Sequence, residues 1–373
     1  MLIALYAIGL LVCFYLLAKV CDQYFVKSLD IIAHKMKLSE DVAGATFMAV
    51  GSSAPEFCTA AMALLKVGSE DVGAGTIVGS AIFNILVIVG SSALVATAYL
   101  KWQPVVRDMG FYIMSILLLM LTFLDGRVTL LEAGSYVLLY AVYIVILAYW
   151  SRWYPRTKTE TQLGDIAEAL EKKEDGLTKR SAFGFVVAFF DRLIGYTFAD
   201  LNKHPKKYVQ VFAVSIMYII ALSWILVDLG IGLAHELGVP EVIIALTILA
   251  GGTSIPDLLS SVIVAKQGRG DMAVSNAVGS NTFDILICLG LPWFVYILIK
   301  GQDVVVATEN LVSSIFLLFG TVVAMFLILG IQRFKIGRHS GYFLLGLYAM
   351  YLGYAIYGSY HPEAMNLEAL LLG

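Results

Sequence analysis

Long apolar segments alternate with short polar ones along most of the chain. Ten of the apolar segments reach the length of about 20 residues that a helix needs to cross a bilayer. They lie near residues 2–22, 41–65, 72–98, 108–124, 131–150, 208–234, 242–265, 272–299, 310–331 and 341–359. The pattern predicts an all-α integral membrane protein with ten transmembrane helices.

The composition agrees with a membrane protein. The chain is 60% hydrophobic and only 14% charged, with a mean hydropathy of +0.84, whereas soluble domains carry about 25% charged residues. The net charge of -3 gives no indication of nucleic-acid binding. No positive residue precedes the first apolar segment and no small-residue cleavage site follows it, so we expect a retained helix and not a signal peptide.

Lysine and arginine fix the expected orientation. If the N-terminus lies outside, the inside loops are 26–40, 99–107, 151–207, 266–271 and 332–340, and they hold 21 of the 25 Lys and Arg residues. Positive charge favours the cytoplasmic side of a membrane. We therefore expect both termini outside, the long loop in the cytoplasm and the protein in the cell membrane.

A sequence motif occurs once in each half of the chain. Residues 51–56, GSSAPE, return as residues 252–257, GTSIPD. Residues 71–90 also align without gaps on residues 271–290 with eight identities, and Asn84 then pairs with Asp284. Because five helices per half is an odd number, the second half must enter the membrane upside down. This predicts an inverted-topology repeat, whose substrate site lies at the repeat interface near the midplane.

The predicted halves span residues 1–150 and 208–373, with the repeated regions at 39–99 and 239–300. Residues 151–207 between them form the one long polar segment. Its stretch 182–198 is apolar but contains Asp191 and Arg192, so we predict a helix lying on the cytoplasmic face instead of an eleventh span. We interpret the segment as a linker, with a regulatory role as the alternative.

The repeated motif combines a helix breaker with an acid. Proline removes one helical hydrogen bond and clashes with the carbonyl four residues earlier, so Pro55 and Pro256 should free the carbonyls of Gly51 and Gly252. Irregular helix at membrane depth is tolerated where it is buried in protein or lines a watery cavity. Freed carbonyls and hydroxyls are the oxygen ligands that hard cations such as Ca2+ take.

The acids beside these breaks predict a duplicated ion site. An acid in mid-membrane costs roughly 3 kcal/mol or more by insertion scales, yet Glu56 and Asp257 both lie inside apolar segments. Residues four apart share a helix face, which groups Ser80 with Asn84 and Ser280 with Asp284. The candidate ligands are Glu56, Asp257, Asp284, Asn84, Ser52, Ser53, Thr253, Ser254, Ser80 and Ser280. All offer oxygen, which disfavours zinc, copper and iron.

A structural role is the alternative for each acid. Glu56 and Asp257 would then be satisfied by a neighbour, but no Lys or Arg occurs in their apolar segments. The same alternative stays open for Asp284. The small residues along 73–80 and 273–280 fit close helix packing, which does not compete with an ion site.

These residues resemble the two alpha repeats of the cation/Ca2+ exchanger superfamily. The match covers roughly 39–99 and 239–300, and the ten-helix arrangement agrees with it. Residues 279–284, GSNTFD, followed by residues 290–293, GLPW, look most like the K+-dependent Na+/Ca2+ exchangers. The K+-independent branch usually has Asn at the position of Asp284. The compact chain is similar to prokaryotic members.

The resemblance implies a secondary antiporter that exchanges Na+ for Ca2+ by alternating access, with no enzyme activity and no cofactor. It implies that Glu56 and Asp257 bind Ca2+ and, in alternation, Na+, and that the carbonyls of Ala49 and Ala250 join the side-chain ligands. Asp284 would mark K+ coupling, or would stay protonated as in related prokaryotic exchangers. The expected partners are Ca2+, Na+ and the lipid bilayer, with K+ as a further candidate. We expect no nucleic-acid partner and a working monomer.

Three other functions compete with this interpretation. H+/Ca2+ or Mg2+ exchange on the same fold is the main one, although proton-coupled relatives usually have a different first motif. An intramembrane aspartyl protease would use two acids such as Asp257 and Asp284, but neither a Tyr-Asp pair nor a Gly-x-Gly-Asp sequence surrounds them. A channel usually takes its selectivity from symmetric rings of subunits, whereas here two halves of one chain build the predicted site.

Overall fold

The computed structural model describes residues 2–35, 49–66, 70–153, 192, 194–199, 201, 207–266, 268–306 and 309–360. These ranges are mostly helical. Within them, seven helices are long and apolar enough to cross a membrane, and Glu241–Thr253 with Ile255–Lys266, bent by 44°, pass the same test as one broken span. This confirms a mostly helical protein with several apolar spans. The number of ten stays a prediction, since residues 41–48 of the second predicted span lie outside the described ranges.

The first half begins with a long helix that contains a π-helical turn. It consists of α1 (Leu2–Val20), the π-turn Cys21–Val26 and α2 (Lys27–Lys35). Next come α3 (Ala49–Ser52), α4 (Ala54–Leu64), α5 (Glu70–Phe83), the π-turn Asn84–Ile88 and α6 (Val89–Val95). Strand β1 (Ala98–Tyr99), α7 (Trp102–Thr122), strand β2 (Arg127–Val128) and α8 (Leu130–Trp153) follow.

The second half has a similar order of elements. It begins with α9 (Tyr208–Leu237), α10 (Glu241–Ile244), the π-turn Ala245–Leu249, α11 (Ala250–Thr253) and α12 (Ile255–Lys266). These are followed by α13 (Gly270–Phe283), the π-turn Asp284–Leu289, α14 (Gly290–Lys300) and strand β3 (Val304–Val305). The last described elements are α15 (Glu309–Ile331), strand β4 (Lys335–Ile336) and α16 (Arg338–Tyr360).

Two short antiparallel ribbons join the halves. Strand β1 pairs with β4, so that Ala98 lies opposite Ile336, and β2 pairs with β3, so that Val128 lies opposite Val304. In sequence order β1 is the counterpart of β3, because each follows the helix with a repeated π-turn, and β2 is the counterpart of β4. The exchange of partners is what two halves related by a two-fold axis would produce.

Burial separates central helices from peripheral ones. In the apolar window of Asp71–Val95, which covers α5 and α6, 94% of the residues are buried, against 17% for Leu130–Trp150 in α8. Leu131, Leu138 and Val145 of α8 are exposed, which suits a helix that faces lipid. The repeated region therefore lies in the protein interior, where polar groups are shielded from the membrane.

A separate hydrophobic cluster packs along the first helix. Leu10 and Leu17 of α1 are buried in one cluster with Leu226 of α9. Ile194 and Phe198, at the end of the predicted surface helix 182–198, belong to the same cluster, and Phe198 stacks on Tyr24 with ring centroids 4.0 Å apart. The described end of that segment thus packs on the protein. The rest of the predicted helix lies outside the described residues.

Gly79 lies at a close crossing between helices of the two halves. A Cβ atom there would lie 2.3 Å from the carbonyl oxygen of Leu246 and 2.7 Å from the Cβ of Ala250, whereas a Cβ on its repeat counterpart Gly279 would meet nothing within 4 Å. We expect Gly79→Ala to destabilise the protein by about 2 kcal/mol, as overpacking does, and Gly279→Ala to be tolerated. Thermal melting followed by size-exclusion chromatography in detergent measures both. Equal melting temperatures for the two variants would contradict the prediction.

Candidate cation-binding site

Each repeated acid lies in the first turn of a helix that follows a one-residue break. Ser53 (φ -93°, ψ 10°) separates α3 from α4, and Ser254 (φ -86°, ψ 2°) separates α11 from α12. The following proline lacks the N–H that would continue the helical bonding. Glu56 and Asp257 stand in the first turns after these breaks, where the helix dipole favours negative charge. The predicted interruption of both helices is confirmed.

A chain of hydroxyl contacts connects the two copies of the motif. Ser254 Oγ lies 2.7 Å from Ser80 Oγ and donates a 3.4 Å hydrogen bond to Glu56 Oε1. Ser254 belongs to the second copy, whereas Ser80 and Glu56 belong to the first half. The contacts therefore bring residues from both predicted half-sites into one cluster.

Three carboxyl groups are buried in this part of the protein and interact with one another electrostatically. Glu56 and Asp284 are 1% exposed and Asp257 is 6% exposed. Glu56 interacts electrostatically with both other acids, and Asp257 interacts with Asp284. Like charges that interact in a buried site destabilise one another unless protons or cations balance them. The arrangement is therefore suited to hold positive ions.

An amide network lies next to the acids. Asn84, at the start of its π-turn, donates to Ser280 Oγ at 3.3 Å and to Asn281 Oδ1 at 2.8 Å. Asp284 starts the equivalent π-turn, and its Oδ1 accepts a 3.5 Å contact from the Cys288 thiol. Short π-helical segments inside α-helices occur frequently at functional sites. Asn84 and Asp284 therefore each begin such a segment.

Three buried oxygens of the predicted ligands have no hydrogen-bond partner among the described residues. They are Ser53 Oγ, Glu56 Oε2 and Asn84 Oδ1. An unsatisfied buried acceptor costs about 1–3 kcal/mol, and more when it is charged. Carboxylate and amide oxygens are ligands for Ca2+, so these atoms fit a site that holds a cation.

The other predicted ligands lie in the same elements. Ser53, Thr253, Ser280 and Ala250 are buried, with Thr253 donating to the carbonyl of Ala250 at 3.2 Å and Ser280 to that of Ala277 at 3.3 Å. Ser52 is half-buried at the end of α3, and Ala49 begins that helix. Their roles as ligands stay predictions.

Four residues near the cluster were missed by the sequence analysis. Asn281 contacts Asn84 and donates a 3.0 Å hydrogen bond to Tyr112 of α7. Cys288 contacts Asp284. Asp22 of the first π-turn interacts electrostatically with Asp257. Asn281 stands beside Ser280 in the repeated segment, but its counterpart is Ala81, so the comparison of repeats did not select it. Asp22 was visible as an acid at the edge of the first apolar segment. Tyr112 and Cys288 gave no signal.

The ligand chemistry differs from that of a resident metal centre. Across the described ranges, no three His, Cys, Asp or Glu side chains form a group that could hold a metal ion by themselves. A cation in this cluster would need hydroxyl, amide and carbonyl oxygens as well. Such mixed oxygen sets are what hard cations accept.

Comparison with known families gives a match over most of the chain. The model of the family described as sodium/calcium exchanger protein matches residues 6–149 and 207–357. Sodium/potassium/calcium exchanger 4 of Mus musculus is 28% identical over 95% of this chain and 81% of its own length. Sodium/potassium/calcium exchanger 5 of Homo sapiens is 33% identical over 79% of this chain and 70% of its own length.

Solved structures support the fold. The sodium-calcium exchanger NCX_Mj, at 20% identity, aligns with a TM-score of 0.56 over 94% of this chain and 99% of its own. The H+/Ca2+ exchanger CAX, at 12% identity, aligns with a TM-score of 0.64 over 100% of this chain and 90% of its own. At these identities the likeness concerns the fold alone.

Proposed function

Because the chain belongs to the sodium/calcium exchanger protein family, a family of integral membrane antiporters, we propose that it exchanges Na+ for Ca2+ across the cell membrane by alternating access. The observation that carries the proposal is the cluster of Glu56, Asp257 and Asp284, buried with oxygens of Glu56 and Asn84 that have no hydrogen-bond partner within the described ranges. No enzyme activity and no cofactor are needed for this role.

In the proposed mechanism, Ca2+ and Na+ compete for one site between the two halves. Glu56 and Asp257 supply the negative charge, and the serine, threonine and asparagine oxygens complete the coordination together with the carbonyls of Ala49 and Ala250. Ser254 donates to Glu56 and contacts Ser80, so ion binding has to redirect these hydroxyls. Because Na+ and Ca2+ occupy the same oxygens, these two ions do not cross together, and each returns the site for the other, which couples their fluxes in opposite directions.

We further propose that the protein has ten spans arranged as an inverted-topology repeat. The breaks at Ser53 and Ser254, the π-turns that begin at Asn84 and Asp284 and the exchanged strand pairs support this proposal. With this topology both termini lie outside, and the segment 151–207 lies in the cytoplasm. One chain then contains both half-sites, so a monomer suffices for transport.

K+ is the proposed third ion. The curated relatives include sodium/potassium/calcium exchangers, with 28% and 33% identity to this chain, and Asp284 adds a third carboxyl to the cluster. With Asp284 ionised, the acids offer three negative charges, enough for Ca2+ together with K+. With Asp284 protonated they offer two, which match Ca2+ alone.

Ca2+ uptake into Na+-loaded proteoliposomes containing the purified protein tests the function. We expect uptake that requires the outward Na+ gradient and rises when external K+ replaces an inert cation. Liposomes without protein and liposomes with equal Na+ on both sides are the controls. Uptake that follows an imposed pH gradient at constant Na+ would contradict the proposal and favour H+/Ca2+ exchange.

A further inference from the structure

A buried amide pair connects the two halves beside the acid cluster. Asn84 and Asn281 are both 0% exposed. Asn281 Nδ2 donates to the carbonyl oxygen of Ala81 at 3.0 Å and to the hydroxyl of Tyr112 at 3.0 Å, while its Oδ1 accepts from Asn84 Nδ2 at 2.8 Å. Helices α5, α7 and α13 therefore meet at one side chain.

The carbonyl of Ala81 fixes the orientation of both amides. A peptide carbonyl can only accept a hydrogen bond, so the group that Asn281 presents to Ala81 must be its NH2. The oxygen of Asn281 then faces Asn84, and Asn84 must present its own NH2 in turn. Ser280 Oγ, which already donates to the carbonyl of Ala277, accepts the second N–H of Asn84.

In this arrangement, one of the two amide oxygens has no hydrogen-bond donor among the described residues. The four amide N–H groups of the pair all have acceptors, and Asn281 Oδ1 has a donor. Asn84 Oδ1 is buried and has no hydrogen-bond partner among the residues that the structure describes. We propose that Asn281 is a positioning residue, which fixes the Asn84 amide so that Asn84 Oδ1, and not its NH2, faces the transported cation. The inference rests on the proposed function, because it assumes that Asn84 is a ligand.

The two repeats differ at these positions, which explains why only one half-site has a residue that orients its ligand. Asn84 aligns with Asp284, and Asn281 aligns with Ala81, whose carbonyl is the acceptor. A carboxylate presents an oxygen whichever way it is turned, whereas an amide rotated by half a turn would present N–H groups and repel the cation. Only the half-site with Asn84 therefore needs an element that fixes the orientation of its ligand.

The test compares the Ca2+ KM of Na+-driven uptake in four variants. Asn281→Leu keeps the volume but removes the amide, and we expect it to raise KM about tenfold, the low end for losing a hydrogen-bonding ligand to a charged group. Asn84→Ala should raise KM to a similar extent. In the double variant, Asn281→Leu should add nothing, because no amide remains to be oriented. Thr282→Val is the control, since within the described part of the chain its buried hydroxyl bonds only to the carbonyl of Val278 in its own helix.

The outcomes distinguish the positioning role of Asn281, the ligand role of Asn84 and the proposed transport function. Additive effects, or an unchanged KM in Asn281→Leu beside a raised KM in Asn84→Ala, would overturn the positioning role and leave the proposed function standing. Unchanged KM in both single variants would show that Asn84 is not a ligand and would overturn the inference. Absence of Na+-driven uptake in the unmodified protein would instead contradict the proposed function itself.

A second variant covers the case in which Asn281→Leu does not fold. Asn281→Ser is smaller and keeps a hydroxyl, but the side chain is too short to reach Ala81 and Asn84 together. We expect the same rise in KM, and a smaller increase in melting temperature on adding Ca2+, because at a given Ca2+ concentration a ligand with a larger Kd stabilises the folded protein less. A Ca2+-dependent increase equal to that of the unmodified protein would overturn the inference.

Discussion

Glu56→Gln is expected to lower Na+-driven Ca2+ uptake by about a hundredfold or more, in line with the roughly 3–5 kcal/mol lost when one partner of a buried charge pair is removed. Glutamine keeps the shape of the side chain and an oxygen that can accept the hydrogen bond from Ser254. Only the charge is lost, at a side chain that is 1% exposed and interacts electrostatically with both other acids. Asp257→Asn should have the same effect, because its carboxyl occupies the repeat-related position.

The matched control is Glu132→Gln. Glu132 accepts hydrogen bonds from the backbone N–H and the hydroxyl of Thr129 at the start of α8, away from the acid cluster, so its neutralisation should leave uptake unchanged. Proteoliposomes reconstituted at equal protein density, with equal size-exclusion profiles before reconstitution, make the rates comparable. Uptake retained in Glu56→Gln would refute the assignment of the site.

Asp284→Asn is expected to abolish the response to K+ while Na+-driven Ca2+ uptake continues. The substitution replaces the third carboxyl by an amide of the same size and leaves the two charges of Glu56 and Asp257, which balance one Ca2+. Asn also occupies the repeat-related position, at Asn84. Uptake with external K+ is compared with uptake in an inert cation, for the unmodified protein and the variant.

Asp125→Asn, in the turn between α7 and β2 where Asp125 Oδ1 accepts from the backbone of Arg127, controls for loss of an acid elsewhere. If Asp284→Asn keeps its K+ response, K+ binds away from this carboxyl. If the unmodified protein is indifferent to K+, the proposal that K+ is the third ion is wrong, and the protein exchanges Na+ for Ca2+ without K+.

Much of the architecture could be predicted from the sequence because it depends on properties that are local along the chain. The cost of exposing polar groups to lipid forces long apolar helices, and this requirement is visible as the apolar segments that became α1, α7, α8, α9 and α15. Proline acts on its own helix, so the breaks at Ser53 and Ser254 could also be predicted. The burial of Glu56 and Asp257 followed from their place inside the apolar segments 41–65 and 242–265.

The repeat also carried information about the site. Alignment of the two halves selected Ser80, Asn84, Ser280 and Asp284, and the structure brings Ser80 to Ser254 and Asn84 to Ser280. The comparison could select only positions that are polar in both copies. It passed over Asn281, whose counterpart is an alanine, and it gave no reason to connect Asp22 with Asp257.

The sequence by itself thus determined the membrane-spanning helical class, the two helix breaks and the acids that follow them. The tertiary structure decided which polar atoms of different helices meet: the hydroxyl chain through Ser254, the contact of Cys288 with Asp284, and the amide pair of Asn84 and Asn281. The physical reason is that hydrophobic burial and proline chemistry act through a residue's own neighbours in the chain. The direction of an amide is instead set by a carbonyl that only the packing of distant helices brings within 3.0 Å.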